Sequence, residues 1–207
     1  AGFISRWMIF EGTWQKYHFN DDARAKKFLE FAVECGDYVI NSGKYSISTP
    51  MAELFGAQDL KGNTECLLYR HYDDALAVRH CIASYCNGKE SQPAVVNLQF
   101  MKSVICNDGK PYKTSTVADA NNFELRAFAK SRDPRFEASF SDKPSNNSAT
   151  RVYCRKFIDR AAWERKAGDT NPLYESVTNL NACPVMRYGE VLLNWIEAKA
   201  ELGNVTQ

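Results

Sequence analysis

No apolar run in this sequence approaches the ~20 residues that a helix needs to cross a bilayer, so no segment reads as a helical membrane span. A charge excess is also missing: 26 Lys and Arg stand against 25 Asp and Glu, for a net charge of +1. With the two signs intermixed, nothing provides the electrostatic footprint of a nucleic-acid or anionic-membrane binder. Only three histidines occur, His18, His71 and His80. None has a paired Ser or Cys at a spacing that marks a catalytic triad. The seven cysteines, at positions 35, 66, 81, 86, 106, 154 and 183, lack metal-ligand spacing. Cys81 and Cys86, even with His80 adjacent, are too loosely spaced for a structural zinc site. No metal and no cofactor are expected. The odd cysteine count argues against a complete disulfide framework, and Cys35, on the apolar face of a helix, reads as a buried thiol.

What is present is a globular chain of 207 residues with 44% apolar composition, enough to bury a substantial core. Phe3, Trp7, Phe10 and Trp14 recur at three- and four-residue spacing, which predicts a helix from the start to about Tyr17. Asn20, Asp21 and Asp22 offer caps to a second helix, whose apolar face runs from Ala25 through Phe28, Leu29, Ala32 and Val33 to Val39 and Ile40. Ser42-Gly43 stops it. Two helices joined by a short polar turn form an antiparallel pair, the unit of tetratricopeptide-like scaffolds. At the other end PVMRYGEVLLNWIEAKAELG predicts a helix from Pro184 to Gly203, with Pro184 in its first turn and Gly203 as its stop. Tyr188, Val191, Leu192, Trp195, Ile196 and Ala198 form its apolar stripe.

Between these ends the periodicity fades. Leu67 to Tyr69 reads as a short extended segment. Ser91 and Pro93 open a helix carrying Ala94, Leu98, Met101 and Ile105. Asn121 caps another with Phe123, Leu125 and Phe128, ended by Asp133-Pro134. Ser141 to Thr150 reads as polar loop, Val152 to Ile158 as strand, and Arg160 to Ala182 as irregular surface. The expected fold class is mainly α, a tetratricopeptide-like helical-pair scaffold with long irregular loops and a few short strands.

The C-terminal string resembles the scaffold helix of the SusD/RagB family, with Arg187, Tyr188, Glu190, Leu192, Leu193, Asn194, Trp195, Glu197, Ala198, Glu201, Leu202 and Gly203 at matching places. FEGTWQKYH (Phe10 to His18), SGKYSI (Ser42 to Ile47), CNDGKPY (Cys106 to Tyr112), RDPRF (Arg132 to Phe136) and RVYCRKFID (Arg151 to Asp159) resemble further elements in the family's order. The resemblance implies a non-catalytic, cell-surface glycan-binding protein that delivers oligosaccharide to a SusC-like TonB-dependent transporter. It also implies an outer-membrane lipoprotein whose membrane contact runs only through a lipid anchor outside this sequence. Residues 1–207 are then expected to be an internal part of one such domain: 1–43 a helical pair, 44–183 a loop-rich ligand-facing segment, and 184–203 the C-terminal scaffold helix. The alternatives are a helical-repeat adaptor that binds proteins without sugar, or a glycoside hydrolase, which the lack of a conspicuous carboxylate constellation disfavours.

The matched motifs are scaffold, so ligand residues are sought by local chemistry. A sugar ring presents C–H faces to aromatic rings and hydroxyls to polar side chains. Trp7, Trp14 and Trp195 lie on helical apolar stripes and read as core. Tyr85 and Trp163 lie in irregular polar sequence, where binding residues concentrate, and are the expected stacking platforms. Arg79, Asn87 and Lys89 are the expected hydroxyl partners. Arg187, Glu190 and Glu197 read as structural polar residues. Arg187 and Glu190 are expected to be largely buried, with Glu190 bonded to Arg187 or to neighbouring backbone.

Overall fold

The computed structural model describes residues 1–82, 96–144, 151–158 and 177–205, and the chain divides into two compact units. The first unit comprises Ala1–Thr49, Leu60–Arg70 and Pro184–Gln207. It is built on α1 (Gly2–Tyr17) and α2 (Asp22–Asn41). Asn20 takes the left-handed conformation in the turn between them, which Asn tolerates better than most residues. Asp21 caps α2 by accepting the Arg24 N–H at 2.9 Å. The last helix, numbered α7 below (Tyr188–Glu201), packs on both. Ile9, Leu29, Ala32 and Ala198 form the shared core, with Met8, Val33 and Leu202 against it.

The inward face of α1 departs from the sequence reading. Its buried residues are Gly2, Ser5, Ile9, Gly12 and Gln15, while Trp7 is 63% and Trp14 42% exposed. Close helix approach explains the inversion: a Cβ added at Gly12 would lie 2.8 Å from Leu29 Cγ. At Gly12 no side chain fits against Leu29, so the face with that glycine turns inward and the aromatic stripe outward. Trp195 is half-buried instead, packed over Gly36, where an added Cβ would meet its Cδ1 at 2.7 Å. Its indole N–H donates to Asp37 at 2.8 Å.

Strands β1 (Cys66–Arg70) and β4 (Cys183–Arg187) form a two-stranded sheet. The expected helix from Pro184 is thereby corrected, because Pro184 to Arg187 is strand and α7 begins at Tyr188. Arg187 is extended, at φ −116° and ψ 154°. The Tyr188 N–H donates to the Glu65 carbonyl at 2.8 Å, so a strand partner sets the helix start. Val39, Met186 and Val191 form a second core, flanked by Tyr45, Leu67 and Tyr188.

The second unit comprises Pro50–Asp59 and His71–Cys183. It contains α3 (Met51–Gly56), α4 (Leu98–Ser103), α5 (Leu125–Ser131), α6 (Arg135–Ser139), β2 (Phe140–Pro144) and β3 (Val152–Cys154). β2 and β3 pair antiparallel with Phe140 opposite Cys154 and Pro144 opposite Val152. Several expectations shift here. Ser91, Pro93 and Ala94 lie outside the described residues; the helix that carries Leu98 and Met101, α4, starts at Leu98, where Asn97 caps it by accepting the Phe100 N–H at 2.7 Å. α5 starts at Leu125 and ends at Ser131, short of Asp133-Pro134. The expected loop from Ser141 begins as strand β2. β3 stops at Cys154, and Phe157 takes a positive φ of 61°. The end of the expected surface stretch is interior: Asn179, Asn181 and Ala182 are buried. Asn179 and His80 exchange backbone hydrogen bonds at 2.9 and 3.0 Å, and the Ala182 N–H donates to Ala57 at 2.9 Å. Pairing with distant backbone draws this irregular sequence inside. Met101, Phe128, Phe136 and Val152 are the unit's core. Among the described residues no helix is long and apolar enough to cross a membrane.

Candidate functional site

A cleft of about 790 Å³ opens within the second unit. Three local structures build it. The first is the capped start of α4, which supplies Val96, Asn97, Leu98 and Met101. The second is the entry to α5, where the Glu124 N–H donates to Asn122 Oδ1 at 3.1 Å and turns Phe123, Glu124, Leu125 and Arg126 toward the cleft. The third is the β2–β3 ladder, which contributes Asp142, Pro144, Arg151 and Val152. Met101 and Val152 belong to the unit's core, with Val96 and Leu125 packed on it, so the apolar floor is continuous with the interior.

The wall is stiff for an identifiable reason. Phe123 contacts Phe128 at 5.9 Å, Phe128 stacks on Phe136 at 5.3 Å, and Phe136 meets Phe140 at 5.3 Å. Each pair is within the range where aromatic rings attract beyond simple area burial. Lys102 Nζ lies 4.1 Å from the Phe123 ring centroid, a cation–π contact. Above this floor stand Glu124, Arg126, Asp142 and Arg151. None of the four forms an ion pair among the described residues. An apolar floor with a few unengaged polar groups is the usual composition of a small-molecule site. It suits a ligand with C–H faces and hydroxyl edges.

Behind the wall, Arg132 is only 1% exposed. Its guanidinium donates to the Ala120 carbonyl at 3.0 Å and Ser131 Oγ at 2.8 Å, and contacts Cys106 Sγ at 3.4 Å. That ties the chain just before Phe123 to the end of α5. Asp108 organises the neighbouring loop, accepting the Thr116 N–H at 3.0 Å and the Ser115 hydroxyl at 3.0 Å. The Thr116 N–H foremost, with the Lys110 N–H and the Ser115 hydroxyl, holds its carboxyl below the usual range. Arg135 does the same for Asp133, at 2.7 and 2.9 Å. These groups are internally engaged and act as scaffold.

Of the residues singled out in the sequence, Arg79 donates to Asp74 at 2.6 Å across a turn and does not line the cleft. Tyr85, Asn87, Lys89 and Trp163 lie outside the described residues. Arg187 and Glu190 do not pair with each other, which corrects the expected contact. Arg187 donates to Glu65 at 2.9 Å, and Glu190 accepts from Arg6. Because Arg187 is on the strand, it is not one helical turn from Glu190. Both are half-buried rather than enclosed, and Glu197 is exposed on α7. His80 is half-buried. Its Nδ1 accepts the Ile82 N–H at 3.3 Å and its Nε2 lies 3.0 Å from the Asn181 carbonyl. That pattern fits a neutral ring protonated at Nε2, and burial lowers its pKa against the opposing pull of that carbonyl. Among the described residues no group of His, Cys, Asp and Glu is placed to hold a metal ion.

The sequence reading places Leu98, Met101, Phe123, Leu125 and Val152 on helix faces and a strand, and marks none of the cleft residues as a ligand contact. Phe123-Glu124-Leu125-Arg126, an aromatic followed by alternating charge, is their one local signal, and it does not reveal that Asp142 and Arg151 converge on it.

The sequence pattern of the SusD family matches residues 41–207, well over half of the chain. The chain belongs to the SusD family. Neither a curated protein nor a solved structure matches it. SusD family members are non-catalytic carbohydrate-binding proteins, and this chain is accordingly not an enzyme. Membership points to glycan binding in nutrient uptake.

Proposed function

We propose that this chain captures an oligosaccharide at the cell surface without cleaving it and passes it to a SusC-like TonB-dependent transporter in the outer membrane. The observation that carries the reading is the family match over residues 41–207. The cleft supports it, since its floor offers apolar surface to a sugar's C–H face and its rim offers hydrogen-bonding side chains. On this reading residues 1–207 are part of one SusD-type domain. In it 1–43 and 184–203 serve as scaffold, 44–183 faces the ligand, and a lipid anchor outside this sequence holds the protein at the outer membrane. Tyr85 and Trp163 are proposed as additional stacking platforms, with Arg79, Asn87 or Lys89 serving hydroxyls. Stacking and rim hydrogen bonds that net about 4 to 8 kcal/mol correspond to affinities from millimolar to micromolar. Weak binding suits a protein that must release its cargo.

A glycan array combined with a reducing-sugar assay on each hit tests the reading. Binding without release of reducing ends is expected. Release would establish a hydrolase, and the absence of any glycan hit, with capture of a protein partner, would establish an adaptor. Co-purification with a TonB-dependent transporter, and protease shaving of intact cells, test the partner and the location. Tyr85→Ala and Trp163→Ala that leave glycan affinity intact would remove those two residues from the site.

A further inference from the structure

We propose, resting on the glycan-binding reading above, that the cleft selects an oligosaccharide carrying an isolated anionic group, a uronate carboxylate or a sulfate ester, among otherwise neutral sugars. The argument starts from how arginines are used elsewhere in the molecule. Arg6, Arg79, Arg135, Arg155 and Arg187 each close on a carboxylate of this chain. Arg132 is buried and spends its guanidinium on a carbonyl, a hydroxyl and a sulfur. Arg24 is likewise exposed and meets no carboxylate among the described residues, but it lies 5.9 Å over the Phe28 ring on α2. Arg126 and Arg151 differ in place: both are exposed, neither meets a carboxylate among the described residues, and both line the cleft described above.

A guanidinium presents a rigid fork of N–H donors that matches two oxygens of a carboxylate or sulfate. Neutral hydroxyls use that fork poorly. Lys102, held over the Phe123 ring at 4.1 Å, adds a third positive charge to the same wall. Glu124 and Asp142 set the limit on the ligand's charge. As ionised acceptors they take hydroxyl donors well, and they repel a second anion. A cleft of mixed sign therefore favours sparse charge over a continuous polyanion. The apolar floor receives the neutral sugars that flank the charged one.

The test uses calorimetric titration of the full chain with an oligosaccharide of neutral sugars bearing one uronic acid. The same compound with its carboxyl reduced, and a singly sulfated analogue, complete the set. The expected result is a preference of about tenfold for an anionic form over the reduced one, from one charge-assisted bidentate contact at a partly solvated rim. The preference should shrink as salt rises toward about 1 M, where screening is short-ranged. In Arg126→Gln and Arg151→Gln the ratio between charged and reduced ligand should fall toward one. Both residues are exposed, so unchanged melting temperatures serve as the folding control, and Arg126→Lys should give an intermediate ratio. Whichever anionic form shows the arginine-dependent preference identifies the group. If charged and reduced sugars bind equally, or the glutamine variants keep the preference, the inference is overturned while glycan binding stands. If no sugar of either kind binds, on titration or on an array, the glycan reading fails and takes the inference with it.

Discussion

Arg6, near the start of the chain, grips Glu190, near its end, through two guanidinium nitrogens at 2.5 and 2.7 Å, across 184 residues of sequence. The pair clamps α1 to α7. Both side chains retain roughly a third of their exposure, so solvent screens much of the attraction. Arg6→Ala should lower stability by about 1 kcal/mol, and about 1 M salt should remove most of that difference. Urea unfolding at low and high salt checks it. A loss that is insensitive to salt would mean that packing of the Arg6 stem, not its charge, holds the helices.

The Arg187–Glu65 pair should behave differently. Glu65 is 3% exposed, and its Oε2 has no hydrogen-bond partner. Arg187→Ala strands a buried carboxylate and should cost about 3 kcal/mol. Pairing Arg187→Met with Glu65→Leu should recover most of the loss, because no buried charge is then left unpaired. A double-mutant cycle measured by denaturant unfolding supplies the coupling energy. Additive effects of the two substitutions would contradict the pairing.

Gly36→Ala sets two effects against each other. In a solvated helix the change gains up to about 1 kcal/mol. Here the new methyl would meet Trp195 Cδ1 at 2.7 Å and Cβ at 2.9 Å, an overpacking that typically costs ~1–3 kcal/mol. The clash should win, with a lowered melting temperature and weakened protection of α7 amides from hydrogen exchange. A stabilised Gly36→Ala would show that α7 can retreat from α2 without penalty.

Stability should also depend on pH in two windows. Burial holds the folded pKa of His80 below its ordinary 6.5, so between those two values the unfolded chain binds more protons. Stability is therefore complete above about pH 6.5 and declines as pH falls through the folded value. Glu201 is held below its ordinary 4.5, chiefly by Lys16, and its contribution is lost further down, below about pH 4.5. Melting curves from pH 7.5 to 3.5 should show both declines. His80→Gln, which keeps a donor for the Asn181 carbonyl, should flatten the upper one.

The ends of this molecule were readable from sequence because local chemistry determines them. The helical periodicity of α1, α2 and α7, and the Asp21 cap, need no distant partner to be recognised. The errors fall where a distant partner decides. Pro184 looks like a helix start, but the Glu65 carbonyl claims the Tyr188 N–H and delays the helix to that residue. Trp7 and Trp14 share a stripe with apolar neighbours, yet the Gly12–Leu29 approach decides which face turns inward. The cleft was hidden for the same reason. Asn97, Arg126 and Arg151 come from three separated segments, and only the α4, α5 and β2–β3 packing brings them to one place.

The outward turn of the α1 aromatics fixes what tryptophan emission can report. Trp7 already meets water in the folded chain at 63% exposure, so its spectrum should change little when the first unit unfolds, whereas Trp14 stacks on His18 at 4.0 Å and on Phe10 at 5.9 Å and contributes a smaller change. Trp195, sandwiched between Gly36 and the Lys199 ammonium 4.0 Å from its ring, loses contacts from two separate helices on unfolding. A Trp195→Phe variant should therefore lose much of the red shift that accompanies melting of the first unit, the remainder coming from Trp14, while circular dichroism still records the loss of its helices.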